Sequence, residues 1–202
     1  MKAISRNLIY VGFTLIAFSF LLFFLIFRSA IYEELNYALI RPDAKARVGV
    51  KEDIKPVDTN FGIVVPKIGA NSKIVPNVDP YNGKIYQYAL TKGVAHAKGT
   101  SYPGSGRNVF LFSHSSVNFY EAAKYNSVFY LLSKLEKGDD IYIFYNQKEH
   151  KYKVRNAILA DAKDISYLTA GSGSGETLTL MTCWPPGTTL KRLLIIAEPA
   201  PK

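Results

Sequence analysis

From Leu8 to Phe27 the chain runs for 20 residues without a charge, most of them Leu, Ile and Phe. No other stretch narrows the choice of structure as much. About 20 apolar residues in an α-helix match the thickness of a bilayer's hydrocarbon core, and a helix apolar on every side has no water-facing solution. A cleaved secretory signal has an apolar region of only about 7 to 15 residues and ends at a small-residue cleavage site. Here Arg28 follows the run directly. The reading is a transmembrane anchor whose partner along residues 8–27 is membrane lipid. Lys2, Arg6 and the amino terminus precede the run, while Glu33 and Glu34 follow Arg28 closely. That bias places the N-terminus in the cytoplasm and the rest of the chain outside, as a single-pass membrane protein.

The anchor divides the chain into three parts. Residues 1–28 are a cytoplasmic stub and the membrane helix. Residues 29–60 are a juxtamembrane helix and linker arm: Ile31, Leu35 and Leu39 recur at helical spacing, and Pro42 ends that helix. Residues 61–202 are long enough for one domain. The formal net charge is +9, but no basic run interleaved with aromatics occurs, which speaks against a nucleic-acid partner. Attraction to an anionic envelope suits this charge better.

Within residues 61–202 the pattern is of short strands. Phe61–Ile68, Ser72–Val75, Asn108–Ser113, Asp140–Tyr145 and Lys151–Leu159 have apolar or β-branched runs bounded by turn residues. Residues 86–97 read as a short helix or turn. Phe119–Leu135 reads as a helix, with Val128, Leu131, Leu132 and Leu135 on one side. Residues 161–176, with GSGSG, read as a loop too polar for a core. About eight short strands, mainly antiparallel, with few helices predict a closed β-barrel rather than a βαβ sheet.

The chain's single cysteine ends one of these strands. Thr177–Cys183 alternates apolar and β-branched residues. Trp184-Pro185-Pro186-Gly187 then forces a reversal, and Leu190–Ala197 reads as the returning strand. In such a hairpin Arg192 returns beside Cys183. An exported chain with one cysteine cannot make an internal disulfide, so Cys183 is either a free reactive thiol or an intermolecular link. A lone cysteine is more often inert packing, but a strand-end thiol beside a guanidinium fits the electropositive, partly exposed setting of a nucleophile.

Thr179-Leu180-Met181-Thr182-Cys183 followed by Arg192 resembles the active-site strand of the sortase family, T-L-x-T-C with an arginine at the start of the next strand. IVVPKIGANSKIV and GVAHAKGTSYPGSGRNVFLFSH are similar to that family's first hairpin and its approach to a histidine. The resemblance runs from about Phe61 onward and implies an eight-stranded sortase-type barrel. His114, at the end of a buried strand and 69 residues before Cys183, matches the family's histidine. His150 lies in a charged turn and reads as a solvated surface residue. His96 reads as structural or substrate-contacting.

The chemistry expected is nucleophilic. Cys183 attacks a peptide carbonyl, Arg192 and local N–H donors stabilise the oxyanion, and His114 serves as general acid and base. Thr182 is a candidate donor, by hydroxyl or N–H, near the tetrahedral centre, and equally ordinary strand filler. The resemblance implies as substrate a secreted protein with an LPxTG-like C-terminal sorting signal. It implies as acceptor an amine, from a cell-wall precursor or a pilin lysine. Transfer to water would make the enzyme a thiol protease. No Cys or His cluster has metal spacing and no glycine-rich stretch fits a phosphate loop, so no cofactor is expected. Asp161, Asp164 and Glu176 flank the loop where some sortases bind calcium, but loop acids are ordinarily solvated. A pilin-polymerising sortase often carries an aspartate-proline-aromatic lid in the arm. Residues 41–60 have none, and Asp79-Pro80-Tyr81 falls after the first two strands. Papain-like peptidases place cysteine before histidine, the reverse of this order. A non-catalytic, membrane-tethered peptide-binding module is the alternative from outside the enzymes.

Overall fold

A computed structural model describes residues 2–40, 55–115, 128–168 and 175–201. The chain forms two compact units, one through Asp43 and one from Ala44. In the first, a single helix α1 (Lys2–Ile40) continues through the apolar run and the residues after it. Its segment Asn7–Arg28 is long and apolar enough to cross a membrane, and its large apolar side chains from Leu8 to Phe27 are exposed. Lipid is the solvent that such a surface fits.

The second unit is a closed barrel of eight strands. In chain order these are β1 (Phe61–Val65), β2 (Ala70–Val78), β3 (Val94–Ala97), β4 (Asn108–Phe112), β5 (Asp140–Tyr145), β6 (Lys148–Asp161), β7 (Thr177–Trp184) and β8 (Lys191–Pro199), with helix α2 (Gly83–Leu90) between β2 and β3. Around the barrel the order is β1-β2-β3-β4-β7-β8-β6-β5, closing back on β1. The closed mainly-β architecture is as the strand pattern requires. Two neighbouring pairs are parallel, however, β2 with β3 and β4 with β7. Each needs a crossover rather than a hairpin, and α2 lies in the first of them.

Two expectations change in detail. Residues 86–97 are the end of α2, a turn, and then β3, which pairs with both β2 and β4. VAHA has one β-branched residue and two alanines, so its strand conformation comes from burial between neighbours rather than from propensity. The helix expected over Phe119–Leu135 lies outside the described residues up to Ser127. The remainder is a turn and a short 3-10 segment, Leu132–Lys134, rather than α-helix. Leu131, Leu132 and Leu135 are nonetheless buried, so the apolar spacing reflects core contacts made without a regular helix.

The arm is tied where it meets the barrel. Asp58 Oδ1 accepts from the backbone of Asn60 at 2.7 Å and of Phe61 at 3.3 Å, and the Val57 N–H donates to Asn71 Oδ1 at 2.9 Å. A side chain on Gly62 would meet the Asp58 carbonyl oxygen at 2.1 Å, so only glycine admits this crossing.

Strands buried on both sides read as continuous apolar runs, and β1 and β4 are buried at every position. The two sides of β4 meet different surroundings. Phe110 and Phe112 join Val78, Ala89, Leu90, Ala95, Ala97 and Leu194 in one cluster. Because α2 supplies Ala89 and Leu90, this cluster is on the outside of the barrel, beneath the helix. Val109 and Leu111, which alternate with them, turn toward the interior.

Candidate active site

The outer face of β7 and β8 carries the candidate residues Cys183 and Arg192. Met181 packs against the cluster beneath α2, and Leu194 belongs to it. Alternation along a strand puts Cys183 on the same face as Met181, and Arg192 on the same face as Leu194. The β7–β8 register pairs Cys183 directly with Arg192, a placement that brings β-carbons to about 4.5–5.5 Å in an antiparallel ladder. Cys183 is half-buried and unpaired with any other cysteine.

The turn after β7 holds the arginine. The chain leaves through a cis Trp184–Pro185 bond. Thr188 closes onto the Pro185 carbonyl by its N–H at 3.0 Å and its hydroxyl at 2.8 Å. Arg192 Nη1 donates to the carbonyls of Thr189 and Lys191, each at 3.2 Å. One end of the guanidinium is thereby spent on its own turn, and a planar fork still presents further donors.

The parallel pair β4–β7 leads the chain to His114 at the end of the sheet where Cys183 lies. Every β4 residue from Asn108 to Phe112 pairs with the β7 residue at a constant offset. The ladder continues one step past the strand: the Ser113 N–H donates to Met181 O at 3.1 Å, and the Thr182 hydroxyl donates to Ser113 O at 2.9 Å, across 69 positions. The same offset, carried one residue further, aligns His114 with Cys183 in sequence along the two strands. At the other end of the ladder, Asn108 Oδ1 accepts from the hydroxyls of Thr177 at 3.1 Å and Thr179 at 3.0 Å. Side-chain bonds therefore pin the register at both ends.

Thr182 is 2% exposed, and its hydroxyl is committed to the Ser113 carbonyl. Of the two donors considered at Thr182, the hydroxyl ties together the strand ends that lead to His114 and Cys183.

His96 lies elsewhere. Its neighbours Ala95 and Ala97 belong to the outer cluster, so the imidazole turns to the opposite face of β3. There it is 1% exposed, with ring centroids of Tyr102 at 4.6 Å and Phe61 at 5.6 Å. Nε2 meets Ser101 O at 3.0 Å and the Thr100 hydroxyl at 3.1 Å, and Nδ1 accepts from the Asn77 N–H at 3.3 Å. Burial lowers its pKa, against the opposing pull of the Ser101 carbonyl. Of the two roles open to His96, the buried position supports the structural one: it presents no surface to a groove.

Two residues not singled out from the sequence border the site. Gln87 of α2 places Oε1 3.2 Å from His114 Nε2. Tyr167, in the 3-10 turn Ser166–Leu168 of the β6–β7 connection, stacks on Phe110 with centroids 5.8 Å apart and planes at 17°. Burial raises the Tyr167 pKa, and the nearby Arg192 guanidinium opposes it, with the Cys183 sulfur also in range. An aromatic residue in a polar connection was the only sequence signal for Tyr167. Gln87 gave none.

Among the described residues no three His, Cys, Asp or Glu side chains gather as a metal site. Glu176 spends its carboxylate on the Gly104 N–H at 3.1 Å, the Gly106 N–H at 2.9 Å and the Tyr152 hydroxyl at 2.5 Å. It is a latch for the loop before β4.

The fold recurs in known proteins. Residues 63–200 match the family model of the sortase domain. The chain is 30% identical over 166 residues to sortase D of Bacillus subtilis (strain 168), covering 81% of this chain and 69% of that one. It is similar to the solved sortase C-1 from Actinomyces oris, at 27% identity and a TM-score of 0.59, over 80% of this chain and 82% of that one. To sortase C1 of GBS Pilus Island 1 the identity is 25% and the TM-score 0.58, over 70% of this chain and 64% of that one, less than two thirds of its length. With a closed eight-stranded barrel, the sortase-domain match over residues 63–200 and a likeness to sortase D over 81% of its length, the chain belongs to the sortase family of cysteine transpeptidases.

Proposed function

We propose that this chain cleaves an LPxTG-like C-terminal sorting signal on secreted proteins and transfers the freed carboxyl end to an amine of the cell wall. The pairing of Cys183 with Arg192, with His114 two residues past the end of β4, carries the proposal.

The Cys183 thiolate attacks the carbonyl carbon of the scissile amide, and its negative charge passes to the carbonyl oxygen. Arg192 is the donor nearest that oxyanion. The C–N bond breaks, the leaving amine takes a proton from the His114 imidazolium, and a thioester on Cys183 remains. An acceptor amine then attacks the thioester and gives its proton to His114. The C–S bond breaks, which restores the thiolate and the imidazolium and leaves a new amide. The apolar helix anchors the enzyme, with the N-terminus cytoplasmic and the barrel outside the cell, where sorting signals and wall precursors meet it.

A second reading, with a pilin lysine as acceptor, is favoured by similarity to a sortase whose name places it in a pilus island. Mass spectrometry tests both. Full-length chain in detergent micelles is mixed with LPxTG-like and LAxTG-like peptides, with and without oligoglycine or a lysine peptide. The expected result is an acyl adduct on Cys183, absent in Cys183→Ala, followed by a transfer product with one of the amines. If no peptide forms an adduct while the thiol still reacts with iodoacetamide, the sorting-signal assignment fails.

A further inference from the structure

We infer that Gln87 is a positioning residue for the acid–base step: its side-chain carbonyl holds the His114 imidazole at the end of β4 in the orientation that serves Cys183. This rests on the acid–base role proposed for His114.

The contact is between Gln87 Oε1 and His114 Nε2 at 3.2 Å. A carbonyl oxygen can only accept, so Nε2 carries its proton whether the ring is neutral or charged. With the amide oxygen turned to the ring in this way, the inference assigns to Nδ1 the proton given to the leaving amine and recovered from the acceptor. Fixing one ring nitrogen by a hydrogen bond is how the role of the other is set.

The platform for this bond is well held. Asn82 caps α2, its side chain accepting from the Ile85 N–H at 3.2 Å. Ala89 and Leu90 are buried in the cluster against β4, and the Tyr86 ring meets Phe112 edge-on at 6.4 Å. Gln87 follows Tyr86 and is itself half-buried. α2 and the end of β4 thus share one packed interface, and a side chain on the helix sets the angle of a side chain just past the strand.

The chemical type of the residue matters as much as its place. The ring must both release and regain a proton within one turnover, so its protonated and neutral forms must stay close in energy. A carboxylate at position 87 would favour the imidazolium, whereas an amide orients the ring without net charge. Among the described residues, the charged and titratable groups of the elements bordering His114 are Cys183 on β7, Lys191, Arg192 and Glu198 on β8, and Lys163, Asp164, Tyr167 and Glu176 in the β6–β7 connection. α2 adds Tyr86 on the packed side, while its Lys84 and Tyr88 are exposed.

The chain has three histidines, so histidine-labelled full-length protein in detergent micelles gives a readable NMR titration of each. Gln87→Glu keeps an acceptor in place and adds a charge. It is expected to raise the His114 titration midpoint by about one pH unit and to leave those of His96 and His150 in place. Gln87→Leu removes the acceptor and keeps the bulk. It is expected to lower kcat for acyl transfer from a Leu-Pro-x-Thr-Gly peptide by about tenfold to a hundredfold, with KM held within about twofold, and Gln87→Glu is expected to recover part of that loss. An unmoved His114 midpoint in Gln87→Glu, or full kcat in Gln87→Leu, overturns the inference. His114→Ala separates the two claims: turnover without the imidazole removes the role of His114 itself. Its loss alongside a fully active Gln87→Leu removes only Gln87's.

Discussion

The clamp at Thr182 lends itself to a quantitative test. Thr182→Val keeps nearly the same volume and β-branching, so it opens no cavity. It removes one hydroxyl, the donor that reaches Ser113 O at 2.9 Å. Thr182 is 2% exposed and Ser113 5% exposed, so water has little access to the carbonyl left behind. A buried acceptor deprived of its partner costs about 1–3 kcal/mol. For a domain of this size each kcal/mol moves the melting temperature by about 2–4 °C, so the expected fall is roughly 2–12 °C. Thr182→Ser keeps the hydroxyl and loses one methyl group, a cost of about 1 kcal/mol. Both melting temperature and kcat should therefore rank parent, Ser, Val, because the lost bond is one of two that tie the residues past β4 to β7. If the hydroxyl instead served the oxyanion, Thr182→Val would melt like the parent and lose about 10²–10³ in kcat. Thermal melts and single-turnover acylation separate the two, and an unchanged melting temperature for Thr182→Val would refute the clamp.

Arg192→Lys cannot hold two turn carbonyls and still offer a fork to the substrate. It should lose about 10²–10³ in peptide acylation while Cys183 remains open to iodoacetamide, and retention of most of the activity would remove Arg192 from oxyanion stabilisation. His96, whose pKa burial holds below the ordinary 6.5, binds its proton more readily when the chain is unfolded. Its stability contribution is therefore complete above pH 6.5 and is lost as pH falls through that value toward the lowered folded one. Urea midpoints compared at pH 7.5 and 5.5 should drop less in His96→Gln than in the parent, and equal drops would argue against a buried neutral imidazole. Glu176→Gln weakens the charge-assisted bonds from Gly104 and Gly106 and should cost about 1–3 kcal/mol. Differential scanning calorimetry would register this, and an unshifted transition would show that the latch carries no stability.

What was legible in the sequence is what is local. Trp184-Pro185-Pro186-Gly187 cannot continue a strand, so a hairpin follows, and with it the neighbourhood of Cys183 and Arg192 that the register contains. The apolar run from Leu8 and the strand count were legible for the same reason, since each is a property of contiguous residues. β3 was not, because the alanines of VAHA carry no strand preference and only the flanking β2 and β4 make them extended. The sequence leaves His96 between two roles because alternation cannot assign a face on a strand that propensity does not mark. Gln87 and Tyr167 stayed hidden because their partners lie on other elements: Gln87 meets a histidine 27 positions away.

The meeting of His114 with Cys183 stands between these cases. A parallel pair has no turn to announce it, so neither spacing nor periodicity joins β4 to β7, and resemblance alone brought the two residues together beforehand. The structure supplies a physical account of why their separation is 69. That is the offset of the whole β4–β7 ladder, held by Asn108 at one end and Thr182 at the other. A shift of one residue in this register would turn every β4 side chain to the other face, putting Phe110 and Phe112 into the barrel and taking His114 away from the thiol. The packing that buries those two phenylalanines beneath α2 therefore also fixes the register on which the candidate site depends. Stability and the placement of the site are set by the same contacts.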